Sequence, residues 1–281
     1  MICVDTVINE KFPNIVERHP HVRRTLSLLF RYLFHEAEFK QFEREYPYLS
    51  GIDFVDKGLE YFDFDYSVKA WERERIPVSG KVVIVANHPI GSLDGLALLK
   101  LISDVRPDVK VVANELLYNL KPLRPLLLPV DNMNGNTPKQ NLRNIERHLD
   151  SGAALIIFPA GEVSRLRASG VKDSRWRTGF LRFASKSGSP ILPVHINARN
   201  SLFFYALSLL AKPLSTLWLI REMFKQSHRS AQMTIGPVVE ASCYEQLPLT
   251  QHARAQLFKR HIYKLGARQK RGEIALMPQT Q

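Results

Sequence analysis

Six short apolar runs recur after residue 80, each cut off by Gly, Pro or a polar residue: KVVIVA (81–86), DVKVVA (108–113), LLLPVD (126–131), ALIIFP (154–159), PILPVHI (190–196) and AQMTIG (231–236). Runs of this length are strands, and their continuous rather than alternating hydrophobicity means that both faces must be covered. Segments with helical spacing lie between them, at 92–104, 137–150 and 176–187, with further helices near 201–225 and 245–268. Strands alternating with helices give an α/β fold: a mixed, largely parallel sheet flanked by helices.

Ahead of these runs, residues 21–45 place Val22, Leu26, Leu29, Leu33 and Ala37 at helical spacing, widened by Leu28, Phe30 and Phe34, with Arg23, Arg24 and Arg31 on the helix as well. The pattern predicts one amphipathic helix, whose apolar face either packs on the main domain or docks on a membrane surface. The chain therefore divides into an N-terminal helical segment, 1–78, and an α/β domain, 79–281. The domain ends in a basic helix and tail, ARAQLFKRHIYKLGARQKRG (253–272), read as a solvated face or as a contact for a membrane or acidic partner. The stretch SLFFYALSLLAKPLSTLWLI (201–220) approaches spanning length but is interrupted by Lys212 and Pro213. It is expected to form two short helices, either core helices or an interfacial surface, and no transmembrane span.

Thirty-nine Lys and Arg stand against 27 Asp and Glu, a formal charge of +12. That balance favours nucleic acid, an anionic bilayer or an acidic carrier protein as partner. The basic residues are scattered and no nucleic-acid motif accompanies them, so nucleic acid is not expected. Cys3 and Cys243 are far apart and match no metal-ligand spacing, which points to a reduced compartment, no disulfide and no metal. The start, MICVDTVINEKFPN, lacks an apolar core of the signal-peptide kind, and a cytoplasmic setting is expected.

Two strand ends carry chemistry. In VANHPIGSLDG (85–95), His88 and Asp94 are six residues apart, about 240° around an ideal helix, so only a turn can bring them together. Pro89 and Gly91 supply that turn, and Ser92 is the expected N-cap of a helix starting at Leu93. His88 then ends a strand, where open α/β sheets hold ligands. An imidazole whose Nδ1 proton is held by a carboxylate can take a proton at Nε2, although such a pair can equally be a structural hydrogen bond, and Asn87 and Ser92 have ordinary cap or turn roles.

The second strand end is ALIIFPAGEVSRLR (154–167). Gly161 allows close backbone approach, Ser164 and Arg165 offer donors to an anion such as a phosphate, and Glu162 is spaced to pair with Arg165. A strand-end turn with a surface Arg is the alternative.

Taken together, ANHPIGSLDG and IIFPAGEVSR resemble the PlsC-type glycerolipid acyltransferase superfamily, in particular its bacterial branch labelled putative hemolysins, which includes lyso-ornithine lipid acyltransferases. The resemblance covers residues 80–240, and ILPVHI (191–196) matches a late block of the family. It implies that His88 is the general base for an acceptor hydroxyl, that Asp94 holds it, and that the activated oxygen attacks an acyl thioester directly, with no acyl-enzyme and no cofactor. Asn87, Gly91 and Ser92, with Phe158, Pro159, Gly161, Glu162, Ser164 and Arg165 of the third block, become the expected substrate-binding residues.

Three departures from the family pattern bear on the acceptor. The His-to-Asp spacing is one residue longer, as in N-H-P-x-G-x-x-D. The usual F-P-E-G-T-R becomes FPAGEVSR, with Ala160 in place of the Glu. The second block, which normally ends in an Arg that grips a glycerol phosphate, has Asp131 and Asn132 in LLLPVDNMNGN (126–136). That loss favours a lyso-ornithine or other lyso-aminolipid, with lysophosphatidate or another lysophospholipid as the alternative.

Acyl-ACP or acyl-CoA is the implied donor, and Lys172, Arg175 and Arg177 could meet an acidic carrier protein or lipid head groups, or be plain surface charge. The implied location is peripheral or monotopic, on an anionic membrane surface at the cytoplasmic face of the inner membrane. DSRW (173–176) and REM (221–223) also resemble this branch, without an assigned role for Asp173, Trp176, Arg221 or Glu222. A hydrolase would want a G-x-S-x-G elbow or a comparable nucleophile, which is absent, and a pore former would need spanning segments or a secreted, refolding architecture, so the remaining alternative to an acyltransferase is a non-catalytic, hemolysin-like membrane-associated protein.

Overall fold

A computed structural model describes residues 20–130 and 137–270. Seven strands form one sheet: β1 (Asp65–Ser67), β2 (Val82–Ala86), β3 (Lys110–Asn114), β4 (Leu127–Val130), β5 (Ala154–Ile157), β8 (Ile191–Asn197) and β9 (Ser230–Ile235). Their order is β1-β9-β8-β2-β5-β3-β4, and β6 (Arg165–Arg167) and β7 (Gly170–Lys172) form a separate antiparallel hairpin. All neighbours in the large sheet run parallel except β8 and β9. The central strand β2 is buried at every residue, as a continuous VVIVA run requires.

Helices cover both faces. On one side α3 (Ile52–Tyr61) and α5 (Leu93–Ser103) bury Val55, Leu59, Leu98 and Ile102 against Ile84, Leu192 and Met233 of the sheet. On the other, α7 (Lys139–Asp150), α8 (Gly179–Ser187) and α12 (Gln251–Lys270) bury Ile145, Phe180, Phe258 and Ile262 against Val83, Val85 and Leu155. The remaining helices are α1 (Pro20–Leu33), α2 (Glu36–Glu45), α4 (Ala70–Arg73), α6 (Glu115–Tyr118), α9 (Leu202–Leu210), α10 (Lys212–Phe224) and α11 (Ala241–Glu245).

Several expectations need correction. Residues 21–45 are two helices rather than one, because His35 sits in the left-handed region (φ 50°), where its ring stacks on Phe224 at 3.8 Å between centroids and its Nδ1 meets Glu38 at 2.8 Å. A boundary near residue 78 corresponds to no break in the core: Val55, Leu59, Phe62 and Phe64 pack with the sheet, and β1 is its edge strand. The helix expected at 176–187 starts at Gly179, since Trp176 is held outside it by a hydrogen bond to Asp173. The AQMTIG run, β9, pairs antiparallel with β8 and parallel with β1, which makes the sheet mixed and largely parallel, as expected. The basic C-terminal helix buries one face in the second core rather than standing free in solvent. As expected, 201–220 forms two helices rather than one, the chain breaking at Ala211 just ahead of Lys212 and Pro213 in the first turn of α10, and among the described residues no helix is long and apolar enough to cross a membrane.

Candidate active site

Asn87 ends β2. Its side-chain amide donates to the Ile196 carbonyl at 2.9 Å and its carbonyl oxygen accepts the Ile196 N–H at 2.7 Å, so the residue closes the ladder to β8 and is fully committed there. The chain leaves the sheet at the next residue. His88 therefore stands at the C-terminal end of the central strand, with its side chain 20% exposed.

The turn that follows is organised around one carboxylate. Asp94 is completely buried; its Oδ2 faces His88 Nδ1 at 3.0 Å and accepts the N–H groups of Ile90 (3.1 Å) and Gly91 (3.4 Å), while Oδ1 accepts those of Ser92 (2.9 Å) and Gly95 (3.0 Å). The expected Ser92 cap does not form: its Oγ has no hydrogen-bond partner, and Asp94 takes over the role because its two oxygens reach more of the turn's N–H groups than one hydroxyl could. Gly91 makes the reversal possible at φ 83°.

An ionised carboxylate only accepts, so the Nδ1 proton of the neutral imidazole points to Asp94 and Nε2 carries the lone pair. Burial opposes charging of both partners. For His88 the charge and hydrogen bond of Asp94, helped by the charge of Asp173, outweigh burial and lift the imidazole above its ordinary 6.5. For Asp94 the charge and hydrogen bond of His88, with the backbone N–H groups, outweigh burial and hold the carboxyl below its ordinary 3.8. Phe158, at the end of β5, stacks on the imidazole at 4.3 Å between centroids. Gly95 lies beside the ring's edge, where a Cβ would make ordinary contact with His88 Cε1 at 3.9 Å. Such an imidazole can take a proton from a hydroxyl at Nε2.

The third-block residues serve this turn from behind. Pro159 is buried and its carbonyl accepts the Arg177 N–H at 3.0 Å, while Gly161 (φ 66°) folds back on the Phe158 carbonyl at 3.0 Å. The Ser164 N–H donates to the His88 carbonyl at 2.7 Å, and its hydroxyl donates to the Asp173 carboxylate. The structure does not gather Glu162 and Arg165 around His88. Arg165 is 8% exposed, with guanidinium bonds to Ser215 Oγ (2.5 Å) and Thr216 Oγ1 (3.2 Å) of α10, and Glu162 pairs with Lys212 at 2.8 Å, its distance to Arg165 being 3.6 Å. Asp131 and Asn132 lie outside the described residues.

Asp173 is a site residue that sequence reasoning left without a role. Fully buried, it accepts the His88 N–H at 3.3 Å, the Ser164 hydroxyl and the Trp176 indole N–H at 2.8 Å. Burial raises its pKa despite these donors. Lys259 of α12 donates to the carbonyls of Asp173 (2.7 Å) and Ser174 (2.9 Å), and Tyr263 receives the Asp173 N–H at 2.8 Å. Only the likeness of DSRW to the branch pattern could have flagged it. Beside this assembly opens a cavity of about 170 Å³, whose wall includes Asn87, Pro89, Ser164, His195, Arg199 and Tyr263, so both chain neighbours of His88 border it.

Glu222, buried like Asp173 and Trp176, closes the base of the α9–α10 hairpin. It accepts the Ser201 N–H (2.6 Å), the Ser201 hydroxyl (2.8 Å) and the Trp218 indole (3.2 Å), and pairs with Lys225 at 3.0 Å. Arg221 stacks its guanidinium over Tyr32, 4.9 Å from the ring centre.

A family model described as Acyltransferase matches residues 6–258 of this chain. The chain belongs to the acyltransferase family. This acyltransferase is similar to two curated proteins, each called lyso-glycine lipid O-acyltransferase. One, from Phocaeicola vulgatus, is 29% identical over 256 residues, 89% of this chain and 90% of the relative. The other, from Bacteroides thetaiotaomicron, is 30% identical over 272 residues, 94% of this chain and 97% of the relative. Among solved structures, the 1-acyl-sn-glycerophosphate acyltransferase PlsC of Thermotoga maritima matches with a TM-score of 0.52 and 20% identity, over 88% of this chain and 98% of that one, a likeness of fold. The acyltransferase thus shares the PlsC fold and is an O-acyltransferase, as its two strand-end motifs imply.

Proposed function

We propose that this acyltransferase moves a fatty acyl group from a thioester, acyl-ACP or acyl-CoA, to the hydroxyl of a lyso-lipid whose head group is an amino acid, in the synthesis of a membrane lipid. The observation that carries the chemistry is the His88 Nδ1 to Asp94 Oδ2 contact of 3.0 Å at the open end of the central strand. His88 Nε2 removes the hydroxyl proton as the oxygen attacks the thioester carbonyl. Collapse of the tetrahedral adduct breaks the C–S bond, and the leaving thiolate takes its proton from the imidazolium, so acid and base work balance on one side chain. The thioester arrives activated, and no cofactor enters.

The head group is inferred from two observations. The near-full-length relatives carry the name lyso-glycine lipid O-acyltransferase. The second block, in addition, offers Asp131 and Asn132 where a glycerol phosphate would want a guanidinium. Glycine and ornithine head groups both fit that class. The reaction belongs at an anionic membrane surface, on the cytoplasmic face of the inner membrane, where the acceptor is embedded and the donor is soluble.

The test is transfer of a labelled acyl group by wild-type and His88→Ala protein, from acyl-ACP and from acyl-CoA, to lyso-glycine lipid, lyso-ornithine lipid and lysophosphatidate. Transfer to an amino-acid acceptor that vanishes in the variant supports the reading. Preference for lysophosphatidate overturns the head-group assignment, and undiminished transfer by His88→Ala overturns the role of the base.

A further inference from the structure

α9 is apolar all round and carries no charge, a composition that belongs in a core or in lipid. Its inner side meets the first expectation: Phe204 and Tyr205 are buried with Val163. The outer side does not. Leu202 (86% exposed), Phe203 (53%), Leu209 (66%), Leu210 (87%) and, across the short break, Leu214 (55%) face outward together. Single exposed leucines are ordinary, but four leucines and a phenylalanine exposed within thirteen residues form a patch that water disfavours.

The hairpin is tied to the body of the protein and to the catalytic turn. Glu222 ties its base through Ser201, Arg165 holds its middle through Ser215, and Lys212 holds the connection to Glu162. Leu219 of α10 lies where a Cβ on Gly91 would approach within 3.6 Å, so the outer helix sits directly behind the reversal between His88 and Asp94.

We propose that the α9–α10 hairpin is the element by which this protein enters an anionic bilayer, laying the stripe of exposed leucines and Phe203 among the acyl chains. The idea rests on the reading of the acceptor as a lipid. Charge chooses between a bilayer and a second copy of the chain. Exposed Arg167, on the β6 strand that packs against α9, flanks the stripe together with Lys212 and Lys225, which are exposed while each pairs with one carboxylate, Glu162 and Glu222, and the whole chain is +12. Apposing two such faces would bring like charges together, whereas anionic head groups complement them while the basic side chains reach outward from the apolar zone. Insertion there would present the end of β2 to the interface where a lyso-lipid hydroxyl resides.

The experiment is co-sedimentation of the full chain with vesicles of phosphatidylethanolamine and phosphatidylglycerol, comparing wild type with the double variant Leu209→Glu and Leu210→Glu. Both side chains are largely exposed, so the fold should stand, and unchanged circular dichroism checks that. Vesicle binding should fall roughly tenfold or more in the variant. Transfer to an acceptor embedded in vesicles should fall with it, while transfer to a short-chain acceptor dissolved below its micelle concentration stays at the wild-type rate. Undiminished vesicle binding by the variant overturns the proposal. So does a wild-type dimer in solution that the same two substitutions dissociate, since the stripe would then be a self-association face. Failure of the lipid reading itself is separable, because it shows as no transfer to the soluble acceptor by wild type whatever the vesicles do.

Discussion

The Asp173 carboxylate accepts the backbone N–H of His88 at 3.3 Å, so the base is fixed at both its side chain, by Asp94, and its main chain, by a residue 85 positions away. Replacing Asp173 by Asn keeps the shape but removes a charge and turns an N–H toward the Trp176 indole in one of its two orientations. The expected result is a kcat/KM lower by roughly 10- to 100-fold through misplacement of the turn. Because the Asp173 charge is one of the causes that lift His88, the acid limb of the pH profile should also move to lower pH. An unmoved limb would reduce Asp173 to a purely structural strut.

His88→Ala and Asp94→Asn should separate chemistry from folding. Loss of the imidazole removes the base and should lower transfer by about 10²–10⁴-fold with a small change in denaturation midpoint. An Asn at 94 retains one acceptor oxygen against four N–H donors and the imidazole. It should therefore cost both activity and about 1–3 kcal/mol of stability, measured by urea unfolding.

The pH dependence follows from the pair. The base works neutral, and its partners raise its pKa above 6.5, so kcat/KM should climb with pH through a limb lying above that value. Asp94 is held below 3.8 and stays ionised throughout, adding no limb of its own near neutrality. With Asp94→Asn the raising charge is gone and the residual activity should show its limb displaced toward acid. A profile taken from about pH 5 to about pH 9 with a soluble acceptor measures both.

How much of this was readable beforehand depended on the range of the interaction. The strands after residue 80 were legible because an unbroken run such as VVIVA is buried by local necessity, and the HPIGSLD turn was legible because Pro, Gly and Asp act within six residues. The cap was misassigned to Ser92 because rules for single hydroxyls do not anticipate a carboxylate that serves four N–H groups. β1 is three residues long and exists only because β9 offers it an edge. Asp173 takes its place in the site from His88, 85 residues away, and Glu222 closes its hairpin through Ser201, 21 residues away, while Arg165 looks like an anion donor until α10 is folded against it. The β6–β7 hairpin had no counterpart among the expected strands, because each of its strands is three residues long and pairs only with the other.

Gly91 and Gly152 make a matched pair for testing the turn. Both have φ 83°, but a Cβ at Gly91 would lie 3.1 Å from Val163 Cβ, whereas at Gly152 it would meet nothing within 4 Å. Gly152→Ala should lose about 1–2 kcal/mol from backbone strain alone and keep its kcat. Gly91→Ala should lose more and also lower kcat, because pushing back Val163 shifts the segment that holds Asp94 against His88. Thermal melts and initial rates on the two variants decide it.

Arg165 offers the sharpest separation between an anion clamp and a scaffold. Its guanidinium is spent on Ser215 and Thr216, stands over the Phe204 ring at 5.4 Å and keeps its Nε toward Glu162. A phosphate could reach it only by displacing α10. Arg165→Ala should therefore leave the buried Ser215 hydroxyl short of a partner, lower the melting temperature by an amount equivalent to about 1–3 kcal/mol, and loosen the hairpin. Vesicle binding and transfer to embedded acceptors should weaken together, with the KM for a soluble acceptor changing little. A large rise in that KM at unchanged melting temperature would instead make Arg165 a direct substrate ligand and require α10 to move when substrate binds.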